Sequence, residues 1–222
     1  MHSNEVKKTI VQCDFDGTIT EKDVSFLLLD AFADGNWRQL LEDYRGGKIT
    51  VGAFNRGAFA MVKADKQTLR DFIFAKKEAE IRNGFNELLS YCSKKGFKFV
   101  IVSNGLDFYI EAVLRDIGME NIEIYAAQTQ FTSDGLKVKY IGPDGRQLKD
   151  DFKDAYTELF LGRGYRVVYI GNGISDFPPA KQAHHIFATA DLLTYCRENN
   201  LSYTPFADFN DVVRGLEVLA QG

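Results

Sequence analysis

Two runs constrain this chain more than any other feature. KFVIVS (98–103) and RVVYIG (166–171) are nearly unbroken stretches of β-branched and aliphatic residues. A strand with one wet face alternates apolar and polar residues. One that does not alternate is covered on both faces, which is the condition of parallel strands between helical layers. Strands are therefore expected at Thr9–Phe15, Phe97–Ser103, Ile122–Gln128, Arg166–Ile170 and His185–Ala188. Helical patterns fall between them at Gly84–Lys95, Asp107–Ile117, Asp151–Leu161 and Asp208–Ala220. This alternation predicts an α/β fold built on a doubly wound parallel sheet. QTQFT and LKVKY flank Ser133-Asp134-Gly135, a hairpin signal. With 222 residues, 45% of them hydrophobic and 13% aromatic, the chain can bury a large core, so overall disorder is excluded.

One stretch breaks the rhythm. Residues 23–80 hold no convincing strand and read as several helices interrupted at Gly35, Gly46-Gly47, Gly52 and Gly57. A crossover between parallel strands needs only about a dozen residues. The excess predicts a helical cap, 23–80, inserted into a core made of 1–22 and 81–222. In open α/β sheets ligands bind beyond the carboxyl ends of the strands, where such an insertion would form a lid.

Charge narrows the partners. Lys and Arg total 27 against 31 Asp and Glu, a net charge of −4, which argues against nucleic acid as the main partner. No run approaches the ~18 apolar residues of a membrane helix, and FLLLDAF (26–32) is broken by Asp30. The start, MHSNEVKK, carries no hydrophobic leader, and Cys13, Cys92 and Cys196 are odd in number and widely spaced. Reduced thiols and a cytoplasmic location are expected, with a small molecule as partner. Oligomeric state is not legible.

Four segments carry chemistry. Asp14 and Asp16 in DFDGTIT (14–20) lie two apart on extended backbone and so point to the same side, with Gly17 allowing a tight turn. Such a pair caps a turn or serves a cation or a reaction, because buried acids are costly otherwise. A calcium-loop reading fails, since counting from Asp14 the sixth residue is Ile19 and the twelfth Ser25. Val102-Ser103-Asn104-Gly105 combines a hydroxyl with amides ahead of a helix; it is an anion cradle or an ordinary turn. Lys153 sits in the helix before RVVYIG, where most lysines are solvated. Gly171-Asn172-Gly173-Ile174-Ser175-Asp176 is not a dinucleotide fingerprint, because position 176 holds Asp where the third Gly belongs.

Their order (acid pair, Ser, Lys, acid loop) resembles the haloacid dehalogenase superfamily, and its phosphoserine-phosphatase-like branch in the long helical stretch after the first motif. Asp107-Phe108 and YCRENNLSYTPFADF (195–209) are similar to the methionine-salvage phosphatases acting on 2-hydroxy-3-keto-5-methylthiopentenyl 1-phosphate. The resemblance implies a small phosphorylated metabolite of that kind, or a phosphoserine-like phosphomonoester, as substrate. Asp14 would be the nucleophile and Asp16 the general acid and base. Ser103, Asn104, Gly105 and Lys153 would hold phosphate, and Asp23 would contact substrate. Mg²⁺ would rest on Asp14, the Asp16 carbonyl, Asn172 and Asp176. The family places an acid where this chain has Asn172. Losing a unit charge near a dication forfeits roughly 8 kcal/mol of gross attraction at ~4 Å and an effective dielectric of ~20. Most of that is offset by cheaper desolvation, so weakened metal binding is expected. The alternative is a catalytically silent binding or regulatory protein on the same fold.

Overall fold

In TIVQC, the residues Ile10, Val11 and Cys13 are all fully buried, so neither face of this first strand meets water. Its one polar side chain, Gln12, is satisfied internally: Nε2 donates to the Lys153 carbonyl and Oε1 accepts from Thr157 Oγ1 at 2.9 Å. A strand of this kind belongs at the centre of a sheet.

The computed structural model describes residues 8–76 and 79–220. In chain order it contains β1 (Thr9–Cys13), α1 (Val24–Phe32), α2 (Trp37–Arg45), α3 (Val51–Phe59), α4 (Lys66–Lys76), α5 (Phe85–Lys95), β2 (Lys98–Leu106), α6 (Asp107–Asp116), β3 (Glu123–Thr132) and β4 (Gly135–Ile141). There follow β5 (Gln147–Leu148), α7 (Phe152–Gly162), β6 (Arg166–Gly171), α8 (Phe177–Gln182), β7 (His185–Ala188), α9 (Ala190–Glu198), β8 (Tyr203–Pro205) and α10 (Phe209–Leu219). Among the described residues no helix is long and apolar enough to cross a membrane. All three cysteines are free and buried.

Among the described residues the sheet has eight strands, in the order β5-β4-β3-β2-β1-β6-β7-β8. Pairings from β3 through to β8 are parallel, while β3–β4 and β4–β5 are antiparallel. From β1 the chain winds outward through β2 and β3, then returns to β1's other edge for β6, β7 and β8. The winding direction reverses at β1, and β1, β2 and β6 end side by side there. The expected α/β class, parallel sheet and Ser133-Asp134 hairpin are all present.

Three strand ends differ from expectation by more than one residue, and one of them is β3, which runs past Gln128 to Thr132 as the first arm of the hairpin with β4. β1 stops at Cys13 because the next residues turn: the Phe15 carbonyl accepts from the amides of Thr18, Ile19 and Thr20. β2 continues past Ser103 to Leu106, with its pairing to β3 shifted between Val102 and Leu106. Ser103, Asn104 and Gly105 thus belong to an irregular strand end, not to a turn ahead of α6. β5 and β8 carry no apolar run that could have announced them.

Helices α1, α2 and α3 are capped by Asp23, Asn36 and Thr50, each of which accepts a backbone N–H in the first turn. The chain leaves and re-enters the sheet through a narrow neck. Thr20 bridges Ile81, the Glu21 amide donates to the Glu80 carbonyl, and the Arg82 amide donates to the Ile19 carbonyl.

On the far side, α10 approaches β7 closely at Gly215, where an added Cβ would lie 2.3 Å from the fully buried Phe187 ring. Gly215→Ala would gain about 1 kcal/mol in helix propensity, but overpacking a rigid ring loses about 1–3 kcal/mol. The overlap is severe enough for the second term to win. The variant should unfold at lower denaturant concentration than the parent, as followed by circular dichroism.

Candidate active site

The loop after β1 supplies the acid pair. Asp14 and Asp16 are 5% and 9% exposed. Gly17 has φ +71°, and a Cβ there would stand 2.3 Å from Asn172 Nδ2, so only glycine lets this turn close against the loop after β6. Thr18 Oγ1 donates to Asn172 Oδ1 at 3.0 Å, tying the two loops together. Arg82, which also lines the cavity, holds the same turn by donating to the carbonyls of Gly17, Thr18 and Ala207.

Lys153, in the first turn of α7, is 2% exposed. Its Nζ lies 2.8 Å from Asp14 Oδ2, 2.6 Å from Asp176 Oδ1 and 3.2 Å from Ser175 Oγ. Burial alone would drive its proton off, but the two carboxylates outweigh that and hold its proton affinity above the ordinary lysine value. Asp176 is fully buried with both oxygens engaged. Oδ1 accepts from Lys153 and from the Tyr169 hydroxyl at 2.6 Å; Oδ2 accepts from the amides of Asn172 and Gly173. It stands behind the loop instead of facing the cavity, which differs from its expected place among direct metal ligands.

Asp14 also accepts from the Phe15 amide at 2.7 Å. Burial lifts its pKa to about 6, partly countered by Lys153. Asp16 accepts from the Val24 amide on Oδ1 (2.9 Å) and from the Tyr109 hydroxyl on Oδ2 (2.5 Å). Burial, and then the nearby Asp23 charge, push its pKa well above the usual carboxylate value. Asp23 is raised by burial too, and its carboxylate is shared between Ser25 Oγ and the Phe26 amide.

From β2, Ser103 Oγ accepts from the Gly105 amide at 3.0 Å. The Asn104 carbonyl accepts from Asn55 Nδ2 and from the Tyr140 hydroxyl, which anchors the strand end to α3 and β4. These groups open onto one cavity of about 380 Å³, within the range of small-ligand sites. Asp14, Asp16, Asp23, Ser103, Asn104, Gly105, Lys153 and Asn172 all line it. The opposite wall comes from the inserted helices: Phe26, Leu41, Val51 and Phe54 are apolar, with exposed Arg45 beside them. Phe54 both lines the cavity and stacks on Tyr44 at 5.7 Å. Trp37 and Phe59 are core residues, and Arg56 donates to the Lys149 carbonyl away from the cavity.

The cavity gathers more buried acid than Lys153 can neutralise, and that favours a divalent cation. Among the described residues no three acidic, histidine or cysteine side chains converge as ligands. A cation here would rest on a mixed set of hard oxygens, from Asp14, the Asp16 carbonyl and Asn172, which suits Mg²⁺ chemistry. Sequence reasoning missed Tyr44, Arg82 and Tyr109. Only Thr18, within DFDGT, carried a local signal.

A family model for haloacid dehalogenase-like hydrolases matches residues 11–181. The 2-hydroxy-3-keto-5-methylthiopentenyl-1-phosphate phosphatase of Brevibacillus brevis is 31% identical over 220 residues, 97% of this chain and 98% of the relative. Its counterpart from Bacillus thuringiensis subsp. konkukian is 30% identical over 217 residues, 95% and 97% of the two chains. A phospho-aspartyl intermediate analogue of phosphoserine phosphatase superposes with TM-score 0.68 at 16% identity, covering 94% of this chain and 98% of that one. A substrate-bound phosphoserine phosphatase complex gives the same TM-score and identity, covering 95% and 99%. At this identity the structural likeness speaks to the fold.

Proposed function

The chain belongs to the haloacid dehalogenase-like hydrolase family and is a phosphoric monoester hydrolase; on that premise we propose that it cleaves a small phosphorylated metabolite in two steps through an aspartyl-phosphate on Asp14, with Mg²⁺ as cofactor. The observation that carries the reading is the buried Asp14–Lys153 pair, 2.8 Å apart, facing a cavity that also receives Asp16 and Ser103.

In the first step an Asp14 oxygen attacks phosphorus and the bond to the leaving oxygen breaks, with Asp16 giving that oxygen its proton. In the second, Asp16 takes a proton from water as the water oxygen attacks phosphorus, which releases phosphate and restores Asp14. Two in-line displacements replace one by a poorly placed water. Lys153 and the Ser103 hydroxyl, which the Gly105 amide orients by donating to its oxygen, hold the phosphoryl oxygens and offset charge as it develops. Held by Asp14, the Asp16 carbonyl and Asn172, Mg²⁺ would supply Lewis-acid neutralisation of the phosphoryl group. Asp176 supports this set by fixing Lys153 and the 172–173 backbone.

The same reading divides the chain into a core, 1–22 and 81–222, and a cap, 23–80, hinged at the Thr20–Ile81 neck. For substrate we favour 2-hydroxy-3-keto-5-methylthiopentenyl 1-phosphate or a close analogue over phosphoserine. The relatives near 30% identity bear that name, and the apolar Phe26, Leu41, Val51 and Phe54 wall suits an apolar substrate arm.

The silent-protein alternative rests on Asn172, and one variant separates the two. Asn172→Asp adds a carboxylate to the metal set while Thr18 can still donate to it. Net of desolvation it should tighten Mg²⁺ roughly tenfold, read as a lower Mg²⁺ concentration for half-maximal phosphatase activity. Parent activity should already be measurable at millimolar Mg²⁺. Absence of activity in both forms across a panel of phosphomonoesters would favour the alternative.

A further inference from the structure

Tyr109 is fully buried on α6, and neither step of the proposed hydrolysis uses it. Its hydroxyl donates to Asp16 Oδ2 at 2.5 Å, while the Val24 amide holds Oδ1 at 2.9 Å. Both carboxyl oxygens are therefore pinned, one from the cap side and one from the core side, which fixes the plane of the group. The ring itself is fixed by Phe15 and Phe108, at centroid distances of 6.3 and 5.5 Å. Gly105 makes the arrangement possible. A Cβ at that position would stand 2.2 Å from the Tyr109 hydroxyl oxygen and 2.4 Å from Asp16 Oδ2, so the space between strand end and helix is kept open for this one hydrogen bond.

We propose that Tyr109 is a positioning residue for the proton transfer to the leaving group, aiming the Asp16 carboxyl and stabilising it as it becomes a carboxylate. A phenol donates a stronger hydrogen bond to an ionised carboxylate than to the neutral acid. The bond therefore tightens while the P–O bond breaks and the Asp16 proton moves to the departing oxygen, which is transition-state stabilisation that the ground state does not share. Tyr109 keeps its own proton throughout. The inference rests on the reading of Asp16 as the general acid.

The test uses leaving-group dependence with two aryl esters, each variant being compared with the parent on the same ester. Phenyl phosphate releases a basic oxygen that needs a proton, whereas 2,4-dinitrophenyl phosphate releases one that does not. The value of kcat/KM reports the steps up to the first irreversible one, the departure of that group. Tyr109→Phe keeps the ring and its packing and deletes only the hydroxyl. It should lower kcat/KM for phenyl phosphate roughly 10- to 100-fold and leave 2,4-dinitrophenyl phosphate unchanged. Adding Tyr109→Phe to Asp16→Asn should cause no further loss. Equal loss with both esters, or loss with neither, while Asp16→Asn alone remains selective for phenyl phosphate, would overturn the role of Tyr109 and leave the acid assignment standing. If Asp16→Asn is itself unselective, the acid assignment fails and the inference falls with it.

Discussion

Asp14→Asn should abolish turnover while leaving the protein folded. The substitution removes the attacking oxygen's charge and keeps the shape of the side chain. Loss of a nucleophile commonly costs about 10⁴-fold or more in kcat. Stability should not follow activity down. Ionised Asp14 is buried, and its pKa of about 6 means that the folded state holds its charge at a disadvantage near neutral pH. Asparagine relieves that disadvantage, and Lys153 retains Asp176 at 2.6 Å as a partner. The expected result is a thermal midpoint at or above the parent's, with hydrolysis of an aryl phosphate at background. Turnover within tenfold of the parent would remove Asp14 from the chemistry.

Lys153→Met should behave differently, because the lysine serves the fold as well as the reaction. Its Nζ is the shared partner of Asp14 and Asp176, both nearly or wholly inaccessible to water. Removing one member of a buried ion-pair group leaves uncompensated charge and costs about 3–5 kcal/mol. For a chain of this size each kcal/mol lowers the midpoint by about 2–4 °C, so a fall of roughly 10 °C is expected. Loss of a phosphoryl-oxygen donor should lower kcat by about 10²- to 10³-fold. Calorimetry and steady-state kinetics on one preparation measure both. A variant as stable as the parent would mean that Asp14 and Asp176 do not depend on this cation.

The core was legible because its signals are dense and local. The apolar runs of β6 and β7 are bounded by turn signals, which mark β6 to within one residue and β7 to its ends. Asp14, Asp16 and Asn172 could be named because a two-residue spacing and glycine-bounded loops announce them. What the sequence hid depends on long-range approach. Tyr109 reads as one aromatic among 28 Phe and Tyr residues until α6 brings it 93 positions back to Asp16. Arg82 looks like a solvated cation until the neck directs it at three carbonyls. Asp176 looked like a metal ligand because of its motif, and only the packing of Tyr169 and Lys153 reveals that its oxygens are already engaged.

The most direct test traps the covalent species. The protein is mixed with phosphate-labelled substrate and Mg²⁺, quenched in acid during turnover, digested and mapped. The expected result is label that is stable to acid and labile to hydroxylamine, confined to the peptide carrying Asp14 and absent from Asp14→Asn. Steady hydrolysis with no labelled peptide at any quench time, or label on another residue, would contradict the assignment.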